Sequence, residues 1–167
     1  MSDDKRDDNR NDELRGRGSR LLMAVLHRYF VLSRGMTMGV RAACFDEQGR
    51  VFLVRHTYVP GWYLPGGGIE HHETAGQALT KELREEGNLE MTGVPELFHI
   101  YYNSRISKHD HVLLYRVDVK QTAPRPPDRE IAECGFFDPL DLPDGATNAT
   151  RKRLAELSGE ITRSEIW

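Results

Sequence analysis

The segment 66–89 constrains this chain more than any other part of its sequence, because it predicts a glycine-rich loop followed by a helix. Thr74 and Gln77 match a capping box, which places the start of the helix at Ala75. Asn88 tolerates the left-handed backbone that ends many helices. We therefore predict a helix that begins at Ala75 and closes beside Asn88.

The predicted helix carries acidic residues on its apolar side. At about 100° per residue, Glu82 and Glu86 fall within the apolar stripe, and Glu85 lies at its edge. A solvated acidic face would lie opposite that stripe, and an inward carboxylate is unfavourable unless a positive charge compensates it. A divalent cation is the simplest partner for three neighbouring acids, and oxygen ligands favour Mg²⁺, Mn²⁺ or Ca²⁺ over Zn²⁺. A set of buried ion pairs is the alternative.

The composition of the chain limits the classes of protein to which it can belong. A chain of 167 residues has room for one domain with a core of its own. Its 23 Lys and Arg against 26 Asp and Glu give a net charge of -3, so we expect no clear nucleic-acid surface. Cys44 and Cys134 are too few for a disulfide framework, and the N-terminus lacks the order of a signal peptide. These features predict a cytoplasmic location.

The chain is predicted to divide into four segments. Residues 1–18 mix acids and bases with almost no apolar side chains, which predicts a disordered charged tail. Residues 19–35 predict an N-terminal helix that is too short and too charged to cross a bilayer, so we expect no transmembrane segment. This helix packs on its own domain, on a second subunit as a homodimer, or on a membrane surface. Residues 36–160 form the main domain, and residues 161–167 a C-terminal tail.

Within the main domain, alternating and short apolar runs predict a mixed sheet. The predicted strands cover residues 38–45, 51–56, 62–64, 97–102, 111–119 and 132–137. A last helix is predicted over residues 149–157. The fold class is therefore α/β (α+β), with helices packed against one mixed sheet.

The loop and helix resemble the box that defines the Nudix hydrolase family. That pattern reads Gly, five residues, Glu, seven residues, then Arg-Glu-aliphatic-any-Glu-Glu-any-Gly-aliphatic. Two positions depart from it, because Lys81 stands in place of Arg and Asn88 in place of Gly. The resemblance implies a Nudix-like α/β/α sandwich. The positions in register are Gly67, Glu73, Glu82, Leu83, Glu85, Glu86 and Leu89.

The resemblance also implies a function. It implies hydrolysis of a diphosphate linkage in a nucleoside diphosphate derivative, a small-molecule substrate, with Mg²⁺ or Mn²⁺ as cofactor. Glu85 and Glu86 would ligate the metal together with the carbonyl oxygen of Gly66. Glu82 would be a metal ligand or the base that takes a proton from the attacking water. A diphosphate is densely anionic, so cations that neutralise its oxygens and position water fit this chemistry.

Lys81 bears on whether the chain is active. By the resemblance, Glu73 would support the helix through Lys81. An ammonium cannot reproduce the two-pronged grip of a guanidinium on a carboxylate, although it can make one ion pair with Glu73. We expect catalysis to be retained but slower. A catalytically weak or inactive Nudix-fold sensor of a nucleotide or sugar nucleotide is the alternative.

Other candidate residues lie outside the box. Glu130 is a candidate for a further metal ligand, because it precedes a predicted strand as a late acid of the family does; the alternative is a solvated loop acid. Arg55 is a candidate for binding a substrate phosphate. We expect His56 to be exposed; the alternative is that it lies beside that phosphate. Tyr58 and Trp62 are candidates for stacking on a base, or else belong to the core.

Overall fold

A computed structural model describes residues 35–104 and 107–167. The predicted charged tail, and all of the predicted N-terminal helix except Gly35, lie outside the described residues. The homodimer prediction rests on that helix and stays a prediction. The strands and helices described below belong to the compact unit Thr37–Trp167.

The described residues of this unit form six strands and two helices. β1 pairs with β5 in parallel, whereas the pairs β1–β2, β2–β6, β3–β5 and β4–β5 are antiparallel, so the prediction of a mixed sheet is confirmed. The order across the sheet is β3-β5-β1-β2-β6, and β4 also pairs with β5. In chain order the elements are β1 (Thr37–Phe45), β2 (Val51–His56), α1 (Ala75–Gly87), β3 (Leu89–Met91), β4 (Glu96–Tyr102), β5 (Asp110–Gln121), β6 (Ile131–Phe137) and α2 (Asn148–Leu157).

The two helices cover opposite faces of the sheet. Successive side chains of a strand point to opposite faces, so each central strand supplies both cores. On one face, Val40 and Val54 pack with Leu79 and Leu83 of α1. On the other face, residues such as Ala43 and Leu53 pack with Leu154 of α2. The predicted α/β/α sandwich is confirmed. In the described part of the chain, no helix has the length and apolar character needed to cross a membrane.

The loop before α1 is inserted between β1 and β2. The strands β1 and β2 pair at their turn, and farther along, the backbone of Tyr63 exchanges both hydrogen bonds with Val54. On the other side, the N–H of Ala42 donates to the carbonyl oxygen of Pro65 at 2.9 Å, and that of Val40 to Gly67 at 2.9 Å. The predicted strand at 62–64 is therefore wrong as a strand: these residues form single bridges, because Pro65 has no N–H with which to extend a ladder.

Two further features were not predicted. β3 has only three residues, too few to show a period, and it pairs with the end of β5. The last residues, treated above as a tail, pair with β4: the N–H of Tyr102 donates to the carbonyl oxygen of Glu165 at 2.9 Å, and that of Trp167 donates to Tyr102 at 3.1 Å.

Candidate functional site

The ends of α1 are fixed by the caps that the sequence predicts. The N–H of Gln77 donates to the hydroxyl oxygen of Thr74 at 3.2 Å, and the N–H of Thr74 donates to the side-chain oxygen of Gln77 at 2.9 Å. Asn88 adopts φ 50° and ψ 39°, the left-handed conformation. Both cap predictions are confirmed. They fix the residues at which the helix begins and ends, and hence the turns on which its acidic side chains lie.

Glu86 is buried, with only 4% of its surface exposed. Its Oε2 accepts a hydrogen bond from the N–H of Gly66 at 2.7 Å. Burial raises the pKa of this carboxyl to about 7; the charge of Arg41 and the Gly66 hydrogen bond oppose the rise, while the charges of Glu82 and Glu130 add to it. Burial therefore makes the ionised form of the Glu86 carboxyl unfavourable in free energy, and a bound cation would offset that unfavourable free energy.

Glu82 and Glu85 lie one turn and one residue before Glu86. Burial raises the pKa of Glu82, and the negative charge of Glu85 adds to the rise, against the opposing charge of Lys81. The carboxylate of Glu82 packs against the backbone of Gly67 so closely that any side chain there would collide with it. Glu85 is half exposed, 3.5 Å from the guanidinium of Arg84. The backbone of the loop thus limits where Glu82 can point.

Lys81 makes the ion pair with Glu73 that the sequence predicts. Its ammonium lies 3.1 Å from Oε1 of Glu73 and 3.3 Å from Oε1 of Glu70. The N–H of Glu70 donates to Oε2 of Glu73 at 2.9 Å. That backbone hydrogen bond, followed by the hydrogen bond from Lys81, lowers the pKa of Glu73. Lys81 therefore joins the loop to the helix through two carboxylates.

The loop 122–130 is fastened to the C-terminal end of α1. The side-chain amide of Asn88 donates to the carbonyl oxygen of Pro124 at 3.2 Å, and Nε of Arg125 donates to that of Glu85 at 2.7 Å. The guanidinium of Arg125 also bridges to Asp128 at 2.6 Å. The N–H of Ile131, followed by the Arg125 side chain, lowers the pKa of Asp128 to about 2. This loop carries Glu130 toward the helix.

The acids of α1 and Glu130 line a single cavity of about 490 Å³. Among the residues described, neither Glu82 nor Glu86 has an arginine or lysine within ion-pair distance. The predicted alternative of buried ion pairs is therefore not found for these two acids. The cavity is lined by Glu70, Lys81, Glu82, Glu85, Glu86, Arg125, Asp128, Glu130 and Ile131.

Arg41 is a site residue that the sequence reasoning missed. Its guanidinium donates to the carbonyl oxygen of Leu64 at 3.1 Å and also to that of Gly66. The predicted metal-ligand oxygen of Gly66 therefore has one partner already, with its second lone pair still available. A signal was present, because Arg41 interrupts an otherwise apolar stretch of β1.

The candidate substrate-binding residues in and after β2 differ in how exposed they are and in what they contact. Arg55 pairs with Glu133, and Trp62 is only 7% exposed and packs edge-on against Phe137, so neither lines the acidic cavity. Tyr58 is 66% exposed, with its ring 5.1 Å from that of His56. The expectation that His56 is exposed is wrong, because alternation along β2 turns it to the face covered by α1.

His56 is 8% exposed, and its Nε2 lies 3.8 Å from Oε1 of Glu86. Burial lowers the pKa of this imidazole, and the charge of Arg41 lowers it further, while Glu130 opposes the change. One ligand atom each from His56, Glu86 and Glu130 lie within 4.8 Å of one another. The described residues thus offer a group of two carboxylates and an imidazole at the edge of the acidic cavity.

A second cavity, of about 760 Å³, lies against the loop before α1 and the start of α2. Its lining includes Arg41 and Gly67, which contact residues of the box loop and of α1, and polar residues such as Asn103, Asp110 and Asn148. Asp110 accepts hydrogen bonds from Thr37 at 2.7 Å and from Asn103 at 2.8 Å. The box loop therefore borders both the acidic cavity and this larger one.

The comparison with protein families assigns the domain. The NUDIX domain model matches residues 35–157, which is most of the chain. The chain therefore belongs to the Nudix family. This is the family that the loop and helix resemble, and the match extends through α2.

Two RNA pyrophosphohydrolases are similar to part of this chain. A segment of 49 residues is 37% identical to an RNA pyrophosphohydrolase of Hydrogenovibrio crunogenus, covering 29% of this chain and 30% of that protein. A segment of 57 residues is 39% identical to an RNA pyrophosphohydrolase of Halorhodospira halophila, covering 34% and 32% respectively. The chain thus matches less than a third of the length of either protein.

The solved structures support the fold. A MutT NUDIX hydrolase from Burkholderia pseudomallei superimposes with a TM-score of 0.61 at 25% identity, over 72% of this chain and 97% of that one. An ADP-ribose pyrophosphatase from Streptococcus suis superimposes with a TM-score of 0.54 at 24% identity, over 78% and 95% respectively. The fold of the described domain is that of Nudix hydrolases.

Proposed function

We propose that this protein is a divalent-metal-dependent pyrophosphohydrolase that cleaves a diphosphate linkage in a nucleoside diphosphate derivative. The observation that carries the proposal is the acidic cavity, where Glu82, Glu85 and Glu86 of α1 meet Glu130 of the loop 122–130. Family membership supports the same activity. The short matches to RNA pyrophosphohydrolases add the 5′ end of RNA to the substrates worth testing.

The residues of the cavity fit a hard divalent cation. Carboxylate oxygens are the ligands that Mg²⁺ and Mn²⁺ prefer, and Glu86 is buried without a lysine or arginine among the described residues to neutralise it. We propose Glu82, Glu85, Glu86 and Glu130 as ligands, with the carbonyl oxygen of Gly66. A bound cation would neutralise phosphate oxygens and lower the pKa of water.

The protein side chains supply the remaining steps. We propose that Glu82 is a ligand or the base that removes a proton from water; burial raises its pKa, which is the direction that makes a carboxylate a stronger base. Lys81 and Glu73 hold the loop against α1, so that Gly66 and Glu86 keep their contact. Tyr58, exposed beside His56, remains our candidate for stacking on a base.

The larger cavity is our candidate site for the nucleoside. Its volume of about 760 Å³ lies within the range of small-molecule sites, roughly 300–1,000 Å³. It borders the box loop at Gly67, whose backbone touches Glu82 on the other side. A substrate that spans the loop would place its diphosphate near the acids.

Cys44 and Cys134 are both free, which supports our proposal of a reducing, cytoplasmic location.

A substrate panel tests the activity. Nucleoside diphosphate sugars, dinucleotides, nucleoside triphosphates and RNA with a 5′ triphosphate are incubated with the protein and Mg²⁺ or Mn²⁺, and phosphate products are quantified. We expect turnover of at least one compound, abolished in Glu86→Gln and retained in Glu90→Gln, an exposed acid paired with Lys120 outside the cavity. Turnover that Glu86→Gln leaves unchanged would contradict the metal role.

The sensor hypothesis makes a different prediction. Lys81 in place of arginine is the feature that favours it. A compound of the panel would then bind, as measured by calorimetry, without product under any metal condition. Binding without turnover would replace the hydrolase proposal by the sensor.

A further inference from the structure

His56 is a buried histidine whose ring nitrogens make no hydrogen bond among the described residues. Its Nδ1 has no hydrogen-bond partner in the part of the chain that the structure describes. Its Nε2 faces Oε1 of Glu86 at 3.8 Å, which is longer than a hydrogen bond. Buried polar groups are nearly always paired, so one that is left unpaired calls for a ligand or another explanation.

The neighbours of His56 include two acids, Glu86 and Glu130. Ligand atoms of His56, Glu86 and Glu130 lie within 4.8 Å of one another. Two atoms bound to one cation at about 2.1 Å lie about 3.0 Å apart when adjacent and about 4.2 Å apart when opposite. The 3.8 Å between His56 and Glu86 already falls in this range. Glu130 is exposed, so its side chain is free to close the remaining distance.

We propose that His56 donates an imidazole nitrogen to a cation shared with Glu86 and Glu130. The proposal rests on the proposed function, because it uses two of the same acids. It adds a ligand that lies outside the box and is contributed by the end of β2. The site is then mixed in character, with a nitrogen and two carboxylates.

The nitrogen ligand changes which cation the site prefers. Mg²⁺ is bound almost entirely by oxygen ligands, whereas imidazole is a good ligand for transition metals. A site with His56 in the ligand set favours a transition-metal ion such as Mn²⁺ or Co²⁺ over Mg²⁺ more strongly than four carboxylates would. The preference is a property of binding and is measurable without any substrate.

Pulsed electron paramagnetic resonance of Mn²⁺ bound to the full chain tests this inference. We expect a nitrogen coupling to the bound ion, which changes to the pattern of ¹⁵N when the protein is labelled with ¹⁵N-histidine. The variant His56→Asn should lose the coupling and bind Mn²⁺ about tenfold more weakly or worse. Its affinity for Mg²⁺ should fall less. The control His71→Asn, at an exposed histidine of the loop, should behave as wild type.

The outcomes separate this inference from the proposed function. Bound Mn²⁺ without nitrogen coupling, or a coupling that persists in His56→Asn, would overturn the role of His56 and leave the acidic metal site intact. Absence of Mn²⁺ binding to the wild type would overturn both. If His56→Asn fails to fold, His56→Gln takes its place in the same measurement, and a coupling that persists there overturns the role of His56.

Discussion

The backbone N–H of Gly66 donates to the carboxylate of Glu86 at 2.7 Å. This position requires glycine, because its φ is +138° and because a side chain there would collide with the backbone of Val40. One hydrogen bond thus joins the loop inserted in the sheet to the most buried acid of α1. The pKa of that acid determines how the protein responds to pH and metal.

Glu86 makes the metal-free protein sensitive to pH. Its pKa in the folded protein, about 7, lies above the ordinary 4.5, so folding favours the protonated form. The resulting stabilisation is complete below about pH 4.5 and is lost as the pH rises through about 7. In a chelating buffer we expect the melting temperature to fall over that range, and to fall less in Glu86→Gln. Parallel curves for the two proteins would contradict this prediction, and Glu90→Gln serves as control.

A methyl group at Gly67 should displace the carboxylate of Glu82. A Cβ at this position would collide with Oε1 of Glu82 and lie 2.7 Å from its Cδ, whereas a Cβ on Gly68 would meet nothing within 4 Å. We expect Gly67→Ala to lower the hydrolysis rate about a hundredfold, because a catalytic group displaced by about 1 Å costs this much. Gly68→Ala is the matched control and should keep its rate. Equal rates for the two variants would refute the close contact.

Lys81 should act by orienting Glu73. Because Lys81→Met removes the ion pairs to Glu73 and Glu70, we expect kcat to fall about tenfold or more through misplacement of the loop. Lys81→Arg restores a two-pronged donor and should match or exceed the wild-type rate. Steady-state kinetics on the substrate identified by the panel measures both. A rate in Lys81→Met equal to that of wild type would show that the pair has no part in catalysis.

Asn88 should hold the loop that carries Glu130. Asn88→Gly keeps a residue suited to the left-handed helix end but removes the donor to Pro124, and Asn88→Asp removes the donor in another way. We expect faster hydrogen exchange over residues 122–130 in both variants, with α1 unchanged. Mass spectrometry of peptic peptides resolves the two segments. Unchanged exchange in the loop would show that the side chain of Asn88 does not fasten it, and that the bonds of Arg125 and Thr122 suffice.

Arg153 should be essential for stability. It is fully buried, pairs with Glu156 at 2.9 Å and lies over the rings of Tyr101 and Trp167. Removal of one partner from a buried pair leaves an uncompensated charge, so Arg153→Met should lower the free energy of unfolding by about 3–5 kcal/mol. Urea denaturation measures the change, with the exposed neighbour Lys152→Met as control. A loss of less than about 1 kcal/mol would mean that Glu156 finds other compensation.

Much of the domain was predictable because its signals are local. The caps of α1 are set by side chains three residues apart, and the direction of its acids follows from helix geometry. The strands other than β3 carry apolar runs long enough to recognise. The mixed sheet and its two covering helices follow from these elements together with the family resemblance.

The parts that were missed depend on contacts distant in sequence. The insertion of the box loop requires a gap between β1 and β2, and these two strands pair only at their turn, at Phe45 and Val51. Arg41 becomes a site residue only when that loop brings the Gly66 carbonyl to it. His56 is buried because α1 and the loop 122–130 cover the end of β2. Local patterns give only hints of these arrangements, such as the charge of Arg41 within an apolar strand.

The parallel pairing of β1 with β5 also matters during synthesis. Thr37 and Asp110, partners in that ladder, are 73 positions apart, and Glu130 is made later still. Contacts this distant form slowly, and they cannot form on a ribosome before the second strand has emerged. A nascent chain that has released α1 therefore has its cluster of glutamates without the sheet that encloses them. The enclosed acidic cavity can bind a cation only after most of the domain has left the exit tunnel of the ribosome.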